Sequence, residues 1–299
     1  MHIFSNHFWE RNKIHSSGIL AVFALSLLSG NAQEITLKCY LPNEIRESSG
    51  LVIVDGKLLT HQDSGNPSDL IEIDPETEQV KRIVSLNSIP NKDWEEITTD
   101  GDFIYVGDFG NNLGNRKDLT IYKVPKKEYL EEGRESFSVE SINFSFADQT
   151  SFKSSNFSTA FDIEAFVSIG ERLLLFTKDW TNFVTHVYEV PKIEGTYSLD
   201  KITTINVNGL VAGATYNPDT QSIVLVGYGE DGAFVSLISD FMESNFQDYK
   251  LQRYDLKVPQ GASSQIEGIA YLSENKYLLT SETGVFGDGA LYELELPQF

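Results

Sequence analysis

Residues 47–74 read ESSGLVIVDGKLLTHQDSGNPSDLIEID, and residues 94–125 read WEEITTDGDFIYVGDFGNNLGNRKDLTIYKVP. Both stretches follow one plan: an acidic or hydroxyl residue, a short apolar strand, a polar turn, and a stronger strand that ends in an Asp-x-Gly-Asn turn. A third strand follows in each. A unit of this kind that recurs along a chain indicates a repeat fold, whose functional site is built from corresponding positions.

Three further copies of the unit follow. They begin at Asp162, in a degraded form at Val211, and for the last time at Gln265. The spacings are 46, 69, 48 and 55 residues when the equivalent positions are Ser49, Glu95, Glu164, Ala212 and Glu267. Repeats of this size with four strands each are typical of a β-propeller. The sequence therefore predicts an all-β, five-bladed β-propeller, and the long second repeat, with residues 147–160, leaves a six-bladed propeller as the alternative.

The fourth strands of the repeats are fainter, at residues 80–84, 138–146, 199–207 and 249–254. The last repeat reaches the end of the chain without one. We expect the N-terminal strand Glu34–Tyr40 to supply it, because such closure joins the two ends of the ring and removes an exposed sheet edge. No linker rich in Pro or Gly divides residues 33–299, so this region is predicted to be one domain.

Residues 1–32 have the pattern of a secretory signal peptide. Arg11 and Lys13 precede the apolar run 18–28, and small residues follow as far as Ala32. The run is too short to cross a bilayer comfortably. We therefore expect an exported protein, periplasmic or extracellular, whose mature chain does not insert into the membrane. Cys39 is the one cysteine, so no intrachain disulfide can form, and we expect it in a buried strand.

The formal net charge of the 299-residue chain is −21 at pH 7. A surface of this charge repels nucleic acid and anionic membranes and suits cation binding, although solubility alone accounts for much acidic composition. Nucleic acid is therefore excluded as a partner. The chain also has no Gly-x-Ser-x-Gly, Gly-x-x-x-x-Gly-Lys or His-Glu-x-x-His motif, which leaves nucleophilic hydrolases and nucleotide-binding folds without support.

Four of the five equivalent positions carry an oxygen ligand. Carboxylates that point at one axis repel one another unless they are protonated, hydrated or bridged by a cation. Oxygen ligands without His or Cys favour Ca²⁺. The sequence therefore predicts an axial Ca²⁺ site, with a water-filled channel as the alternative, and its ligands are predicted to be Ser49, Glu95, Glu164 and Glu267.

In a propeller the start of the first strand and the turn after the second lie on the same face. His61 and Asp63 are the catalytic candidates there, since either could orient or deprotonate a water molecule. The predicted ligand-binding residues on this face are Asp108, Asn111, Arg116, Lys178 and Glu282. Alternatives remain open, because Asp-x-Gly-Asn sequences also stabilise tight turns and the two cations could simply neutralise nearby carboxylates.

The motifs Glu47-Ser-Ser-Gly-Leu, Thr60-His-Gln-Asp-Ser-Gly-Asn, Asp93-Trp-Glu-Glu-Ile, Gly107-Asp-Phe-Gly-Asn-Asn and Gln265-Ile-Glu-Gly-Ile-Ala resemble a family of exported bacterial β-propellers near the SdiA-regulated and esterase-like phytase groups. A more distant similarity is to the calcium-activated nucleotidases, or apyrases. That similarity implies five blades and an axial Ca²⁺ held by Ser49, Glu95, Glu164 and Glu267, with the fourth-blade hydroxyl replaced near Ala212.

Two function hypotheses follow. In the first, the propeller holds Ca²⁺ and binds a small-molecule or protein ligand on its acidic face. In the second, it is a Ca²⁺-dependent phosphohydrolase acting on nucleotides or phosphate esters, in which the metal polarises a phosphate oxygen. Lys178 and Arg116 distinguish the two, because hydrolysis requires these cations to point into the mouth of the site.

Overall fold

The structure is a computed structural model that describes residues 32–77, 79–242, 246, 248–284 and 287–297. The predicted signal peptide, apart from its last residue, lies outside these ranges. Regular structure in the described part is almost entirely β, with one short α-helix, α1 (Lys126–Leu130). No helix in these ranges is long and apolar enough to cross a membrane.

Within each unit the strands form an antiparallel meander, in which consecutive strands of the unit pair with each other. Unit 1 comprises β2 (Ser48–Val54), β3 (Lys57–Gln62), β4 (Asp69–Asp74) and β5 (Gln79–Ser85). Unit 2 comprises β6 (Trp94–Thr99), β7 (Phe103–Asp108), β8 (Leu119–Pro125) and β9 (Glu140–Phe146). Unit 3 comprises β10 (Ile163–Ile169), β11 (Arg172–Thr177), β12 (Thr185–Pro191) and β14 (Thr203–Ile205). Unit 4 comprises β15 (Leu210–Asn217), β16 (Ser222–Gly229), β17 (Gly232–Ser239) and β18 (Lys250–Lys257).

Unit 5 contains β19 (Ile266–Ser273), β20 (Lys276–Ser281) and β21 (Ala290–Glu295), and its fourth strand comes from the other end of the chain. That strand is β1 (Gln33–Tyr40), which runs antiparallel to β21 from Ile35 opposite Leu294 to Tyr40 opposite Ala290. The predicted closure by the N-terminal strand is confirmed. Cys39 is buried in this strand, as expected.

Unit 3 differs from the prediction. The fourth strand expected at residues 199–207 is only the three-residue β14, and Leu199 belongs to a separate strand, β13 (Gly195–Leu199). β13 pairs in parallel with β9 and so extends the sheet of unit 2. Without β13, the outer edge of β9 would present unpaired backbone N–H and C=O groups. The chain that leaves β12 covers this edge by forming β13. Residues 147–160, which the six-bladed alternative required to hide strands, are described and contain none.

The apolar core lies between neighbouring units. In the described residues each neighbouring pair shares one cluster; Val226 and Tyr254 of unit 4, for example, pack with Ile269 and Tyr277 of unit 5. Each sheet is therefore covered on both faces. This explains why β11 reads as the nearly continuous apolar run Arg-Leu-Leu-Leu-Phe-Thr rather than alternating, since alternation is expected only when one face meets water.

The first strands of the units, β2, β6, β10, β15 and β19, contact one another in sequence, and β19 contacts β2, so they enclose a central channel. The all-β propeller predicted from the repeats is confirmed. Each of these inner strands also carries a register shift against its partner at the same position. The extra residues at these β-bulges are Ser49, Glu95, Glu164, Ala212 and Glu267, the positions that the sequence aligned.

Candidate metal centre

The bulges bring ring carboxylates to one mouth of the channel. Glu95, Glu164 and Glu267 are 7%, 6% and 7% exposed, so they are buried but not sealed. A bulge adds one residue to a strand and re-aims its side chain, which is why bulges occur beside functional sites. Ala212 offers no side-chain ligand, and Ser49 Oγ donates to the carbonyl oxygen of Glu95 at 3.0 Å.

A second set of acidic residues lies two positions before the ring, at Asp93 and Asp162. The sequence signal for them is the pattern Asp-x-Glu at 93–95 and 162–164, which repeats at this position in units 2 and 3 only. Asp162 has a structural role, because its Oδ2 accepts the Trp180 indole N–H at 2.7 Å. Asp93 is partly exposed and belongs to the candidate site.

Asp63, Asp93 and Glu95 form the acidic cluster. One carboxylate oxygen from each lies within 4.8 Å of the other two, and within the described ranges this is the one group of three potential metal ligands that meets this limit. Around a Ca²⁺ ion with bonds of roughly 2.3–2.6 Å, opposed oxygens lie at most about 5 Å apart. Three hard oxygen donors at this spacing fit Ca²⁺. The predicted ring contributes one of them, Glu95.

The electrostatics of the cluster also favour a bound cation. Burial, together with the charges of Asp63 and Asp162, raises the pKa of Asp93 to about 7. Burial, and next the charge of Glu164, raises the pKa of Glu95 well above its ordinary value. Without metal, the cluster therefore retains protons near neutral pH, and a divalent cation that binds here must displace them.

Lys178 occupies the other side of the mouth, directly after β11. Its Nζ lies 3.0 Å from Glu164 Oε2, 4.8 Å from the ring centroid of Trp180 and 5.1 Å from that of Tyr228. Burial by itself would lower the pKa of this ammonium, but neighbouring carboxylates, first Glu164 and then Glu267, outweigh burial and raise this pKa well above its ordinary value. Lys178 is therefore a permanent cation on the predicted face.

Glu282 also lies on this face. Its backbone N–H donates to the carbonyl oxygen of Gln265 at 3.1 Å, which brings it beside Glu267. Burial, and next the charge of Glu267, raises the pKa of Glu282 well above its ordinary value. Its Oε1 atom is buried and has no hydrogen-bond partner among the described residues.

Arg116, Asp108 and Asn111 form a structural network. Arg116 Nη2 donates to Asp108 Oδ1 at 2.8 Å, and its Nη1 donates to the carbonyl oxygen of Gly110 at 2.9 Å. Asn111 donates to the carbonyl oxygen of Phe161 at 2.9 Å and accepts the Arg116 backbone N–H. Asp108 and Asn111 are each 1% exposed, so these polar groups hold the turn after β7.

His61 lies inside the fold and not at the mouth. It is 0% exposed, packs edge-on against Trp94 with ring centroids 5.7 Å apart, and would meet a Cβ on Gly50 at 2.7 Å. Burial lowers its pKa to about 4, against the smaller opposing effect of the Gln62 carbonyl. The imidazole is neutral but inaccessible to a ligand on the face, so this position does not support the predicted general-base role. Asp63, two residues on, is in the acidic cluster.

Glu96 is a buried structural neighbour of the site that the repeat pattern did not single out. It follows the bulge at Glu95 and is 0% exposed. Its Oε2 accepts the backbone N–H of Ala214 in unit 4 at 2.7 Å, and its Oε1 accepts that of Ile97 at 3.0 Å. β6 and β15 are not neighbours in the ring, so this carboxyl bridges the channel beneath the acidic cluster.

Gly110 packs against the acidic cluster, and Gly110→Ala is expected to weaken metal binding at least tenfold. A Cβ here would lie 2.6 Å from Asp93 Oδ2 and closer still to Glu95 Oε1. These are ends of flexible side chains, so they move aside at little cost to folding but leave the ligand geometry. Calorimetric titration with Ca²⁺ measures the loss, and Gly101→Ala, at a glycine with open space around its Cβ position, is the matched control. Equal affinities would contradict this placement.

Comparison with known proteins gives no match to a family model or to a curated sequence. Solved structures similar to the chain include the PQQ-bound aldose sugar dehydrogenase of Streptomyces coelicolor, at TM-score 0.49 and 11% identity, covering 87% of this chain and 97% of that one. The calcium-binding protein regucalcin of Agrobacterium tumefaciens has TM-score 0.44 and 13% identity, covering 88% and 95%. Luciferin-regenerating enzyme has TM-score 0.42 and 9% identity, covering 89% and 92%. Likenesses this distant transfer no activity, and the resemblance to SdiA-regulated, phytase-like and apyrase propellers stays a prediction.

Proposed function

We propose that this protein is an exported propeller that binds one Ca²⁺ ion at the acidic cluster of Asp63, Asp93 and Glu95, and that the metal supports ligand binding on the same face. The observation that carries the proposal is the approach of three carboxylate oxygens to within 4.8 Å of one another. Like charges held this close are stable only when protons or a cation neutralise them.

The ligand side of the proposal follows from coordination number. Ca²⁺ takes six to eight oxygen ligands, more than the three carboxylates supply in monodentate contacts. The remaining positions are filled by water or by oxygens of a bound small molecule or protein. In such a complex the chain's own groups hold and orient the ion, and the metal supplies the attraction for the oxygen-bearing ligand on a face that is otherwise strongly negative.

A phosphohydrolase would need cations free to meet phosphate. Arg116 is bonded to Asp108, and Lys178 to Glu164. Both of the cations predicted for that role therefore neutralise carboxylates of this chain, which favours binding over hydrolysis. A screen for phosphate release from nucleotides and phosphate esters decides between them: metal-dependent turnover that disappears in Glu95→Gln would replace the binding proposal with hydrolysis.

Calorimetric titration of the chelator-treated protein with Ca²⁺ tests the metal site. We expect one ion per chain, with Asp93→Asn and Glu95→Gln each weakening binding at least tenfold, or about 1.4 kcal/mol. The cause is the loss of one charged ligand from a site of three.

Glu267→Gln is the matched control, because Glu267 occupies the same bulge position in unit 5 but lies outside the acidic cluster. We expect its affinity to stay within threefold of the wild-type value. An equal loss of Ca²⁺ affinity in Glu267→Gln and Glu95→Gln would indicate that the metal binds at the predicted axial ring of Ser49, Glu95, Glu164 and Glu267. No binding heat in the wild-type protein would refute both sites.

A further inference from the structure

Lys178 contacts Glu164, one of the four residues predicted to hold an axial metal ion. Lys178 is 4% exposed, and its backbone N–H donates to the carbonyl oxygen of Asp162 at 2.7 Å, which fixes the start of the side chain at the mouth. Its Nζ contacts Glu164 Oε2 at 3.0 Å and lies over the rings of Trp180 and Tyr228. The ammonium is thus enclosed by a carboxylate and two aromatic faces.

Burying a lysine is costly unless the charge is compensated. More than one carboxyl group can compensate the charge of Lys178, because Glu164, Glu267 and Glu282 all lie on this side of the mouth. Tyr228 Oη also lies 3.5 Å from Glu267 Oε1, which ties that carboxylate to the same group. One fixed positive charge therefore serves several carboxylates, as a bound metal ion does.

A separate observation concerns Glu282. Its Oε1 atom is buried and lacks a hydrogen-bond partner in the described part of the chain. A buried acceptor left without a donor costs free energy. The carboxyl beside it, Glu267, can satisfy it only when one of the two groups carries a proton, and this interaction with Glu267 raises the pKa of Glu282. A divalent cation that binds in this half of the mouth can therefore replace that proton and take the Glu282 oxygen as a ligand.

We propose that Lys178 is a tethered cation that takes the place of a metal ion in the half of the mouth formed by Glu164, Glu267 and Glu282. The lysine confines the exchangeable ion to the acidic cluster and keeps the site mononuclear. Removing the ammonium allows those three glutamates, which do not meet the 4.8 Å limit in the present structure, to close on a second divalent cation. The wild-type stoichiometry in this inference rests on the proposed function, whereas the second site does not.

The test compares the full-length wild-type protein with Lys178→Met, which keeps most of the side-chain stem and removes the charge, and with Lys178→Arg, which keeps a cation. Calorimetry and native mass spectrometry count bound Ca²⁺. We expect one ion in the wild-type protein, two in Lys178→Met and one in Lys178→Arg. Adding Glu267→Gln to Lys178→Met is expected to weaken the second ion at least tenfold and leave the first unchanged.

The outcomes separate this inference from the proposed function. One ion in both the wild-type protein and Lys178→Met overturns the inference alone, and so do two ions in the wild-type protein. No ion in the wild-type protein and one in Lys178→Met supports the inference and refutes the proposed function. If Lys178→Met does not fold in metal-free buffer, refolding with millimolar Ca²⁺ decides: recovery that requires Ca²⁺ supports the inference, and failure with and without Ca²⁺ overturns it.

Discussion

Replacing Glu96 by alanine is expected to lower the free energy of unfolding by about 3–5 kcal/mol. The carboxyl of Glu96 accepts backbone N–H groups from Ala214 and Ile97 at 2.7 and 3.0 Å, and also from Leu51. These donors belong to the inner strands of three different units. Truncation leaves them without an acceptor in a region closed to solvent, and it empties the space the side chain fills.

The close packing around Glu96 limits how far neighbouring groups can move to fill the space or to replace the lost hydrogen bonds. A Cβ on Gly50 would lie 2.9 Å from Glu96 Oε1, so the surrounding backbone already approaches the carboxyl as closely as a glycine permits. Burial raises the pKa of Glu96 well above its ordinary value, while the three N–H groups act in the opposite direction. The group is therefore a structural bridge across the channel and not a metal ligand.

Chemical unfolding monitored by tryptophan fluorescence measures the effect, in metal-free buffer. Glu95→Ala is the matched control, one residue earlier on the same strand. The substitution removes one carboxyl from a crowded acidic cluster. The free energy of unfolding of Glu95→Ala is therefore expected to stay within about 1 kcal/mol of the wild-type value or to rise. A larger loss for Glu95→Ala than for Glu96→Ala would contradict the assignment of these two side chains.

The second large effect is on pH dependence. In the metal-free protein the free energy of unfolding is expected to fall by at least about 2 kcal/mol as the pH rises from about 5 to about 7. Burial and the charge of Asp63 raise the pKa of Asp93 from 3.8 to about 7. Burial raises that of Glu267 from 4.5 to about 7, with Asp63 adding to the shift and Lys178 opposing it.

The sign follows from proton counting. Between the unfolded and folded pKa values the folded state holds a proton that the unfolded state has lost, so each group stabilises the fold at low pH and loses this contribution as the pH rises to about 7. Each group changes the free energy by about 1.4 kcal/mol per pH unit in that window. His61, with a pKa lowered to about 4 by burial, acts oppositely up to pH 6.5, but it is one group against Asp93, Glu267 and the other carboxyls whose pKa values are raised.

Unfolding curves at pH 5, 6 and 7 in the presence of a chelator measure this slope. Saturating Ca²⁺ is the informative comparison, because the ion binds the ionised carboxylates and is expected to offset the loss at pH 7. Glu267→Gln removes one of the carboxyls whose pKa is raised and is expected to make the slope shallower. Stability that rises with pH in the chelator would show that these carboxyls are not held protonated.

Much of the fold could be predicted from the sequence because its determinants are local or repeated. Apolar runs between turn residues set the strands, and the spacing of like segments set the units. The missing fourth strand of the last repeat identified its partner at the N-terminus. The prediction of the fourth strand was wrong in unit 3, where β13 joins the sheet of unit 2. A short strand pairs with whichever sheet edge the tertiary packing places beside it.

The site was predicted less completely. Repeat alignment located Glu95, Glu164 and Glu267 at one mouth and placed Asp63, Lys178 and Glu282 on the same face. It could not show that Lys178 would neutralise Glu164, or that Asp93 would join Asp63 and Glu95, because those pairings depend on how neighbouring units are rotated about the channel. Arg116 and Asp108 likewise paired with each other across a turn.

Glu95 and Glu96 show which features the sequence predicts and which ones only the tertiary structure determines. As adjacent glutamates at the start of one strand they are chemically equivalent in the sequence, which determined only that carboxylates would lie at the channel. The bulge in β6 directs Glu95 to the acidic cluster and Glu96 across the channel to Ala214, and Gly50 on the facing strand leaves room for the Glu96 carboxyl. Register and close packing are properties of the assembled ring, and they assign one glutamate to a candidate metal site and the other to the fold.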